Sequence, residues 1–374
     1  MNDISPPKES MRLRSIDGLR GIAAMGVVLY HLSGNLKEDL QQLLPAFLNT
    51  IMSYGYLGVP VFFVISGLVI SLSIGDSLVT KHYAAKFIVR RSIRLDPTYW
   101  AAIFFGIALL IFKNKISAVQ EPLPSVGNIL AHMFYLQDLL TVRPLISVVF
   151  WTLCLEIQFY LFYLFSLWIS QKVTKKLNIS NFHLLIIIGL GVFSILVDRS
   201  FYSLSVNGLF ISNWHYFLIG VLVARVFRRK AYSTQVFFIW ILFECITSLY
   251  FGEKPYQTAG IIIGIFLYAL WWRSLLDRVF TSATLQYLGT ISYTLYLVHP
   301  DIGWKVISTA RMFFHGHLPK IYVIPVLLAA IVVSIIVAHI FHLLFEKPSL
   351  RLAEKLKKVD FENLFSSKAA VNSQ

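Results

Sequence analysis

Charged residues are scarce in this chain of 374 residues: 14% of the residues are charged, whereas 57% are hydrophobic. So low a charge content excludes an ordinary soluble globular protein and predicts an all-α, polytopic membrane protein built as a helical bundle. Cysteine is scarcer still, since only Cys154 and Cys245 occur and both lie inside apolar stretches. Two such residues exclude a disulfide framework and a cysteine-based metal site. We expect no metal.

Acidic residues are also few, with 19 Asp and Glu against 33 Lys and Arg and a net charge of +14. In a membrane protein such an excess marks cytoplasmic loops, so nucleic acid is not an expected partner. The first apolar stretch runs on without a small-residue cleavage site, and we expect it to be kept as a membrane span rather than removed as a signal peptide. Long Gly/Ser linkers, charge blocks and repeats of fixed period are missing, which predicts one helical domain.

A window of helix length finds ten apolar stretches, which we predict to be transmembrane helices. If the N-terminus is cytoplasmic, most Lys and Arg residues fall in the inner segments, which favours a cytoplasmic location of both termini. The predicted spans are residues 16–34, 54–74, 97–112, 148–169, 183–197, 209–227, 233–250, 257–272, 284–300 and 321–345.

These spans predict three parts of the chain. Residues 1–15 form a cytoplasmic N-terminal tail, residues 16–346 form the transmembrane domain, and residues 347–374 form a cytoplasmic C-terminal tail. The C-terminal tail begins with the basic amphipathic run LRLAEKLKK. Such a run is typical of a helix that lies on an anionic inner leaflet.

The first span carries ionisable residues within the stretch IDGLRGIAAMGVVLYH, from Ile16 to His31. His31 lies eleven positions after Arg20, which puts the two residues within about 20° on the helix wheel and about 16 Å apart along the axis. Ionisable groups at membrane depth normally face the protein interior or a wet cavity, so this shared face predicts a functional surface. The alternative is that Arg20 reaches the headgroups and His31 lies at the opposite interface.

A second motif, AKFIVRRSIRLDPTYW, joins the second and third spans. Arg91 and Arg94 share one face of a helical turn, and Asp96 before Pro97 is expected to end that helix. Two planar guanidinium groups on one turn are well suited to clamp a phosphate. The alternative is an ordinary basic cytoplasmic loop.

Further polar residues lie in the fourth and ninth spans. The stretch WTLCLEIQFYLFYLF contains Glu156, and a carboxylate in a span needs a partner, for which His31 and Arg20 are candidates. The ninth span, LGTISYTLYLVHP, is expected to end at His299 and Pro300 on the outer side. Each of these residues could instead be a satisfied polar residue of the core.

Taken together, the sequence resembles acyltransferase family 3, the bacterial membrane O-acyltransferases, over residues 12–352. Six stretches occur in the order typical of that family: IDGLRGIAAMGVVLYH, GVPVFFVISG, RRSIRLDPTYW, WTLCLE, LGTISYTLYLVHP and FEKPSLRL. Many members carry an acidic residue where this chain has Pro60. A role for a carboxylate at that position is therefore not expected here.

The resemblance implies an O-acetyltransferase of the bacterial inner membrane that moves an acyl group, most often from acetyl-CoA, to a hydroxyl of an extracytoplasmic glycan. Lipopolysaccharide O-antigen and exopolysaccharide are examples of such acceptors. The implied partners are acyl-CoA, a glycan or lipid-linked glycan, and membrane lipids, whereas the oligomeric state is not indicated. An acceptor that is a macrolide or a lipo-oligosaccharide stays open, as does a transporter or flippase, although no inverted repeat is evident.

The resemblance also assigns roles to residues. His31 would be catalytic, as general base or as nucleophile, and Arg20, Arg91 and Arg94 would bind the acyl donor. Glu156 matches the family pattern Trp-Thr/Ser-Leu-x-x-Glu and would orient the imidazole. In this scheme the acyl arm runs along the face of the first helix.

The acceptor is expected at the outer loops, residues 35–53, 113–147 and 301–320. Aromatic residues in or next to these loops are available to stack on sugar faces, namely Tyr54, Tyr56, Phe313 and Phe314.

Overall fold

The computed structural model describes residues 13–116, 120–177, 181–201 and 208–357. Every regular element within these ranges is a helix, so the all-α prediction is confirmed for them. Helices are expected of such apolar segments because they satisfy all backbone hydrogen bonds internally, without water. Of the two predicted tails, residues 1–12 and 358–374 lie outside the described residues.

The helices follow one another with short connections. The first part of the described chain forms α1 (Arg14–Asn35), α2 (Lys37–Leu43), α3 (Ala46–Ser53), α4 (Gly58–Ile74), α5 (Lys81–Ile116), α6 (Val126–Met133), α7 (Trp151–Leu177) and α8 (Phe182–Asp198). The second part forms α9 (Trp214–Phe227), α10 (Ser233–Phe251), α11 (Pro255–Trp272), α12 (Ala283–Thr290), α13 (Ser292–Phe313), α14 (Lys320–Phe341) and α15 (Lys347–Lys357). Short 3₁₀ segments, Tyr54–Leu57 and Phe210–Asn213, precede α4 and α9, and a π-helical turn, His342–Glu346, joins α14 to α15.

Six helical segments of the described chain are long and apolar enough to cross a membrane. This finding supports a membrane protein, whereas the predicted number of ten spans and the cytoplasmic location of the termini stay predictions. The six segments are Ala46–Ile74, Lys81–Ile116, Trp151–Leu177, Phe210–Phe227, Ser233–Phe251 and Lys320–Lys357.

Helix α5 does not end at Asp96 and Pro97, so that prediction is wrong. The helix continues for 36 residues with Pro97 inside it. Proline removes one backbone hydrogen bond, but Asp96 accepts hydrogen bonds from the side chains of Ser92 and Tyr135, the latter at 2.8 Å. These contacts fix the turn that precedes the proline, so Arg91 and Arg94 lie inside a continuous helix.

Helix α13 likewise continues through Pro300, contrary to the predicted end of the ninth span at that residue. Since proline has no N–H, the carbonyl four residues earlier, on Tyr296, loses its helical donor. The Nδ1 atom of His299 lies 3.0 Å from this carbonyl oxygen and 3.0 Å from that of Leu295. The imidazole thus satisfies the group that the proline leaves unpaired.

Glycines bring neighbouring helices into backbone contact. A Cβ atom on Gly67 of α4 would collide with the carbonyl of Phe217 in α9, and one on Gly220 would collide with that of Val64. A Cβ atom on Gly21 of α1 would lie 2.8 Å from the backbone of α12, at Gly289. Small residues in these places allow the close approach that packs helices in membranes. Part of the face of α1 that was expected to line a passage is therefore filled by α12.

Candidate functional site

Four of the residues singled out in the sequence meet at one cavity of about 110 Å³. Helices α1, α4, α5, α7 and α13 and the π-helical turn all contribute to its wall. We call it the arginine cavity. Its charged lining residues are Arg20, Arg91, Arg94, Glu156 and Glu346.

The continuity of α5 places Arg91 and Arg94 one turn apart on the side that faces this cavity. The guanidinium carbon of Arg91 lies 4.9 Å from the ring centroid of Tyr160 and 5.6 Å from that of Phe87. Aromatic faces at this distance attract a cation and hold its plane in place. These contacts hold the guanidinium group of Arg91 in place within the helix.

Two carboxylates face the three guanidinium groups. Glu156 accepts hydrogen bonds from Ser66, at 2.8 Å, and from the hydroxyl of Tyr160. Glu346 lies 2.8 Å from Nδ1 of His342 within the π-helical turn. The charged side chains that line the cavity therefore carry three positive and two negative charges, and the excess positive charge favours an anion.

Sequence reasoning missed Glu346 as a site residue. The stretch FEKPSLRL contributed to the family resemblance, but it suggested no role for the carboxylate. Glu346 reaches the cavity from a π-helical turn, and such turns are frequent at functional sites. No sequence period predicts a π-helical turn, so the signal is visible only in the structure.

His31 lies away from the arginine cavity, at the far end of α1. It lines a separate cleft of about 640 Å³ together with residues of α2 and α3 and with Trp304. We call this space the first cleft. The expected pairing of Glu156 with His31 is therefore wrong: Glu156 accepts hydrogen bonds from Ser66 and Tyr160 in the wall of the arginine cavity. The other predicted partner of Glu156, Arg20, does share its cavity.

The partner of His31 is His299 of α13. Nε2 of His299 lies 3.1 Å from Nδ1 of His31, and this Nδ1 atom also lies 3.0 Å from the carbonyl oxygen of Val27. Because Nδ1 of His299 faces only the carbonyl oxygens of Leu295 and Tyr296 in these contacts, it must be the protonated nitrogen of that ring.

The tautomers of both rings are assigned from these contacts. A neutral His299 that donates from Nδ1 has an acceptor at Nε2, and His31 therefore donates from its own Nδ1. The lone pair of His31 is then on Nε2, and His31 is at the wall of the first cleft. His31 is prepared to accept a proton at Nε2, which is what a general base requires.

One helical turn of α13 connects the histidine pair to the arginine cavity. Tyr296 lines the cavity, its hydroxyl lies 2.8 Å from that of Thr152, and its ring centroid is 6.1 Å from that of His299. Phe62 of α4 packs edge-on against Tyr296 at 5.7 Å. Tyr296 therefore belongs to the wall of the cavity and also contacts His299, the partner of His31. The course of the acyl arm along the face of α1 stays a prediction.

The predicted acceptor loops form two clefts. Residues 35–53 contribute to the first cleft, and a second cleft of about 490 Å³ lies between the end of α5, residues 121–124 and 144–148, and the middle of α13. The aromatic rings proposed for sugar stacking pack on each other: Tyr54 stacks on Tyr56, and Phe313 meets Phe314 edge-on. Trp304, which sequence reasoning missed, lines both clefts.

The sequence of this chain is similar to those of known proteins. Residues 13–341 match the model of a family described as "Acyltransferase domain". The chain is 25% identical over 335 residues to the peptidoglycan O-acetyltransferase OatA of Listeria monocytogenes, covering 77% of this chain and 49% of the relative. It is 25% identical over 386 residues to a putative O-acetyltransferase of Staphylococcus aureus strain COL, covering 91% and 58%.

A third relative is the O-acetyltransferase OatA of Staphylococcus aureus strain NCTC 8325, which is 24% identical over 362 residues, covering 86% of this chain and 55% of the relative. The chain spans about half the length of the curated relatives that it matches. No solved structure matches it at a significant level.

Proposed function

The chain belongs to acyltransferase family 3, and from this premise we propose that it is an enzyme that moves an acetyl group from cytoplasmic acetyl-CoA to a hydroxyl of an extracytoplasmic glycan. The observation that carries the proposal is the alignment of two sites, the arginine cavity and the histidine pair, which are one turn of α13 apart. The acceptor class follows the relatives, one of which is named for peptidoglycan. Lipopolysaccharide O-antigen and exopolysaccharide belong to the same class.

The donor would bind at the arginine cavity. CoA is polyanionic, and guanidinium groups bind phosphate with two parallel hydrogen bonds. Arg91 and Arg94 would hold the phosphate end at the cytoplasmic side, and Arg20 would complete the positive wall. The thin pantetheine arm would then extend past Tyr296 and bring the thioester towards His31.

The transfer itself needs a base at the acceptor hydroxyl. His31 would take the hydroxyl proton on Nε2 while the hydroxyl oxygen forms a bond to the acetyl carbonyl carbon. The bond from that carbon to the CoA sulfur breaks, and the proton passes from the imidazolium to the departing sulfur. His299 would hold the ring of His31 in the tautomer that this step uses.

Analysis of the host's surface glycans tests the proposed function. We expect a strain that lacks this chain to lose an O-acetyl signal, seen by NMR of the purified glycan, and we expect the wild-type gene to restore it. Surface glycans with unchanged acetylation in the deletion strain would contradict the proposal. This result would favour a small-molecule acceptor or a transporter.

A His299→Ala variant is expected to lower kcat by about tenfold to a hundredfold, since loss of one buried hydrogen bond costs about 1–3 kcal/mol. KM for acetyl-CoA should stay close to that of the wild type, because the arginine cavity is not altered. Steady-state kinetics of the purified protein in detergent would measure both.

Two further variants control this experiment. His299→Gln offers an amide oxygen to Nδ1 of His31 and should regain part of the lost rate, which a purely structural role of His299 does not predict. His339→Ala removes another half-buried histidine, from α14, and should leave the kinetics unchanged. A His299→Ala variant with wild-type kcat would exclude the positioning role.

A further inference from the structure

The first cleft, which His31 lines, and the second cleft share part of their walls. Their volumes are about 640 and 490 Å³, and the residues that line both are Asn35 and Trp304. Pockets of roughly 300–1,000 Å³ hold a whole drug-sized ligand. Each cleft alone is large enough for such a molecule, and a ligand that fills both must be longer.

The junction between the clefts is held in place by hydrogen bonds. Trp304 donates from Nε1 to the carbonyl oxygen of His31 at 3.0 Å, and its ring lies edge-on to the imidazole with centroids 6.1 Å apart. Arg311 donates to the carbonyl oxygen of Asn35 at 2.8 Å and to its side-chain oxygen at 3.3 Å. The boundary that a ligand would cross is thus fixed next to His31.

The groups around the junction suit sugars. The first cleft offers amide and hydroxyl groups, which match the hydroxyls of a sugar ring, from Gln41, Asn49, Thr50 and Ser53. Trp304 is partly exposed and combines an apolar ring with a polar edge that is already satisfied. An aromatic face of this kind packs on the C–H face of a sugar.

Side chains of both charge signs line the second cleft. Lys113 and Lys305 line it together with Glu121 and Asp301. Lys113 hydrogen-bonds Glu121 and holds the pKa of that carboxyl below its usual range. The cleft thus presents fixed hydrogen-bonding groups rather than a field of one sign.

We infer that the acceptor is an extended glycan whose neighbouring sugars occupy both clefts at once, with Trp304 as the stacking platform that places one hydroxyl at His31. This inference rests on the proposed acetyl transfer and specifies the acceptor's size. A macrolide or a single sugar would fill one cleft and leave the other unused. The second cleft therefore sets the preference for polymer over small molecule.

Fragments of the host glycan test the inference with the wild-type protein alone. The glycan is purified from the deletion strain, where it lacks the acetyl group, and is cut by mild acid into single sugars and fragments of four or more sugars. With acetyl-CoA as donor and the purified full chain, we expect kcat/KM for the longer fragments to exceed that for single sugars by at least about a hundredfold. Equal values would overturn the inference.

A matched pair of variants locates the preference in the second cleft. Ser308 is exposed and lines this cleft, whereas its neighbour Thr309 on α13 is also exposed but does not belong to the lining. Ser308→Trp should reduce the preference for long over short fragments by about tenfold, and Thr309→Trp should leave that preference unchanged. Equal effects of both variants, or none from Ser308→Trp, would contradict the assignment of the second cleft.

The outcomes separate this inference from the proposed function. If the wild-type chain acetylates no fragment and the deletion strain keeps its acetyl groups, the function itself is wrong. If acetylation occurs but does not depend on fragment length, the function stands and the extended acceptor site does not. Trp304→Phe keeps an aromatic ring but removes the hydrogen bond to the carbonyl oxygen of His31. Trp304→Leu removes both the ring and the hydrogen bond. The Phe variant should therefore retain more of the preference for long fragments than the Leu variant.

Discussion

A His31→Ala variant is expected to transfer acetyl groups about 10²–10⁴ times more slowly than the wild type, because removal of a positioned general base has an effect of this size. The reason is specific to the geometry: Nδ1 is engaged with His299 and Val27, which leaves Nε2 for the acceptor proton. Transfer from radiolabelled acetyl-CoA to the un-acetylated host glycan would measure the loss.

Binding of the donor provides the control for this variant. His31 lies outside the arginine cavity, so the affinity for CoA and the amount of folded protein should be close to wild-type values. A folded His31→Ala variant with unreduced turnover would refute the catalytic role of this residue. Reduced CoA affinity would instead show that the two sites are not separate.

The double variant Arg91→Ala, Arg94→Ala is expected to weaken CoA binding by at least about a hundredfold. A hydrogen bond to a charged group contributes about 1.5–3 kcal/mol, and each such loss is about tenfold or more in affinity. Lys in place of either residue should restore binding only in part, since an ammonium group cannot form the two-pronged contact. Calorimetry with CoA and the purified protein in detergent would measure these affinities.

Arg90 supplies the matched control. It lies on the same turn of α5 but donates to the carbonyl oxygen of Ala353 in α15, at 3.3 Å. Arg90→Ala should leave CoA affinity within about twofold of the wild type, well below the tenfold change that loss of about 1.4 kcal/mol produces. If the double variant and the wild type bind CoA equally well, Arg91 and Arg94 do not form the donor site.

The arginine pair shows why part of the site could be predicted. Arg91 and Arg94 share a face because helical period relates residues three positions apart, and this relation needs no knowledge of the rest of the fold. The same local rule placed Arg20 and His31 on one side of α1. It could not show that Pro97 and Pro300 lie inside helices, because Ser92, Tyr135 and His299 compensate for the prolines by side-chain contacts.

The partner of His31 illustrates the opposite case. His299 is 268 positions away along the chain, and the two rings meet because α1 packs against α13. The family pattern suggested Glu156 as the residue that orients His31, but Ser66 and Tyr160 hold Glu156 in the arginine cavity. Pairings of this kind depend on which helices are neighbours.

Sequence alone determined the properties that are local or summed over the chain: the apolar, helical character, the family, and the arginines on one turn of α5. Tertiary structure decided the rest, namely the histidine pair, the entry of Glu346 through a π-helical turn, and the position of Trp304 between two clefts. The physical reason is that helix periodicity relates residues within a few turns, whereas a site is assembled by packing between helices that are distant in sequence.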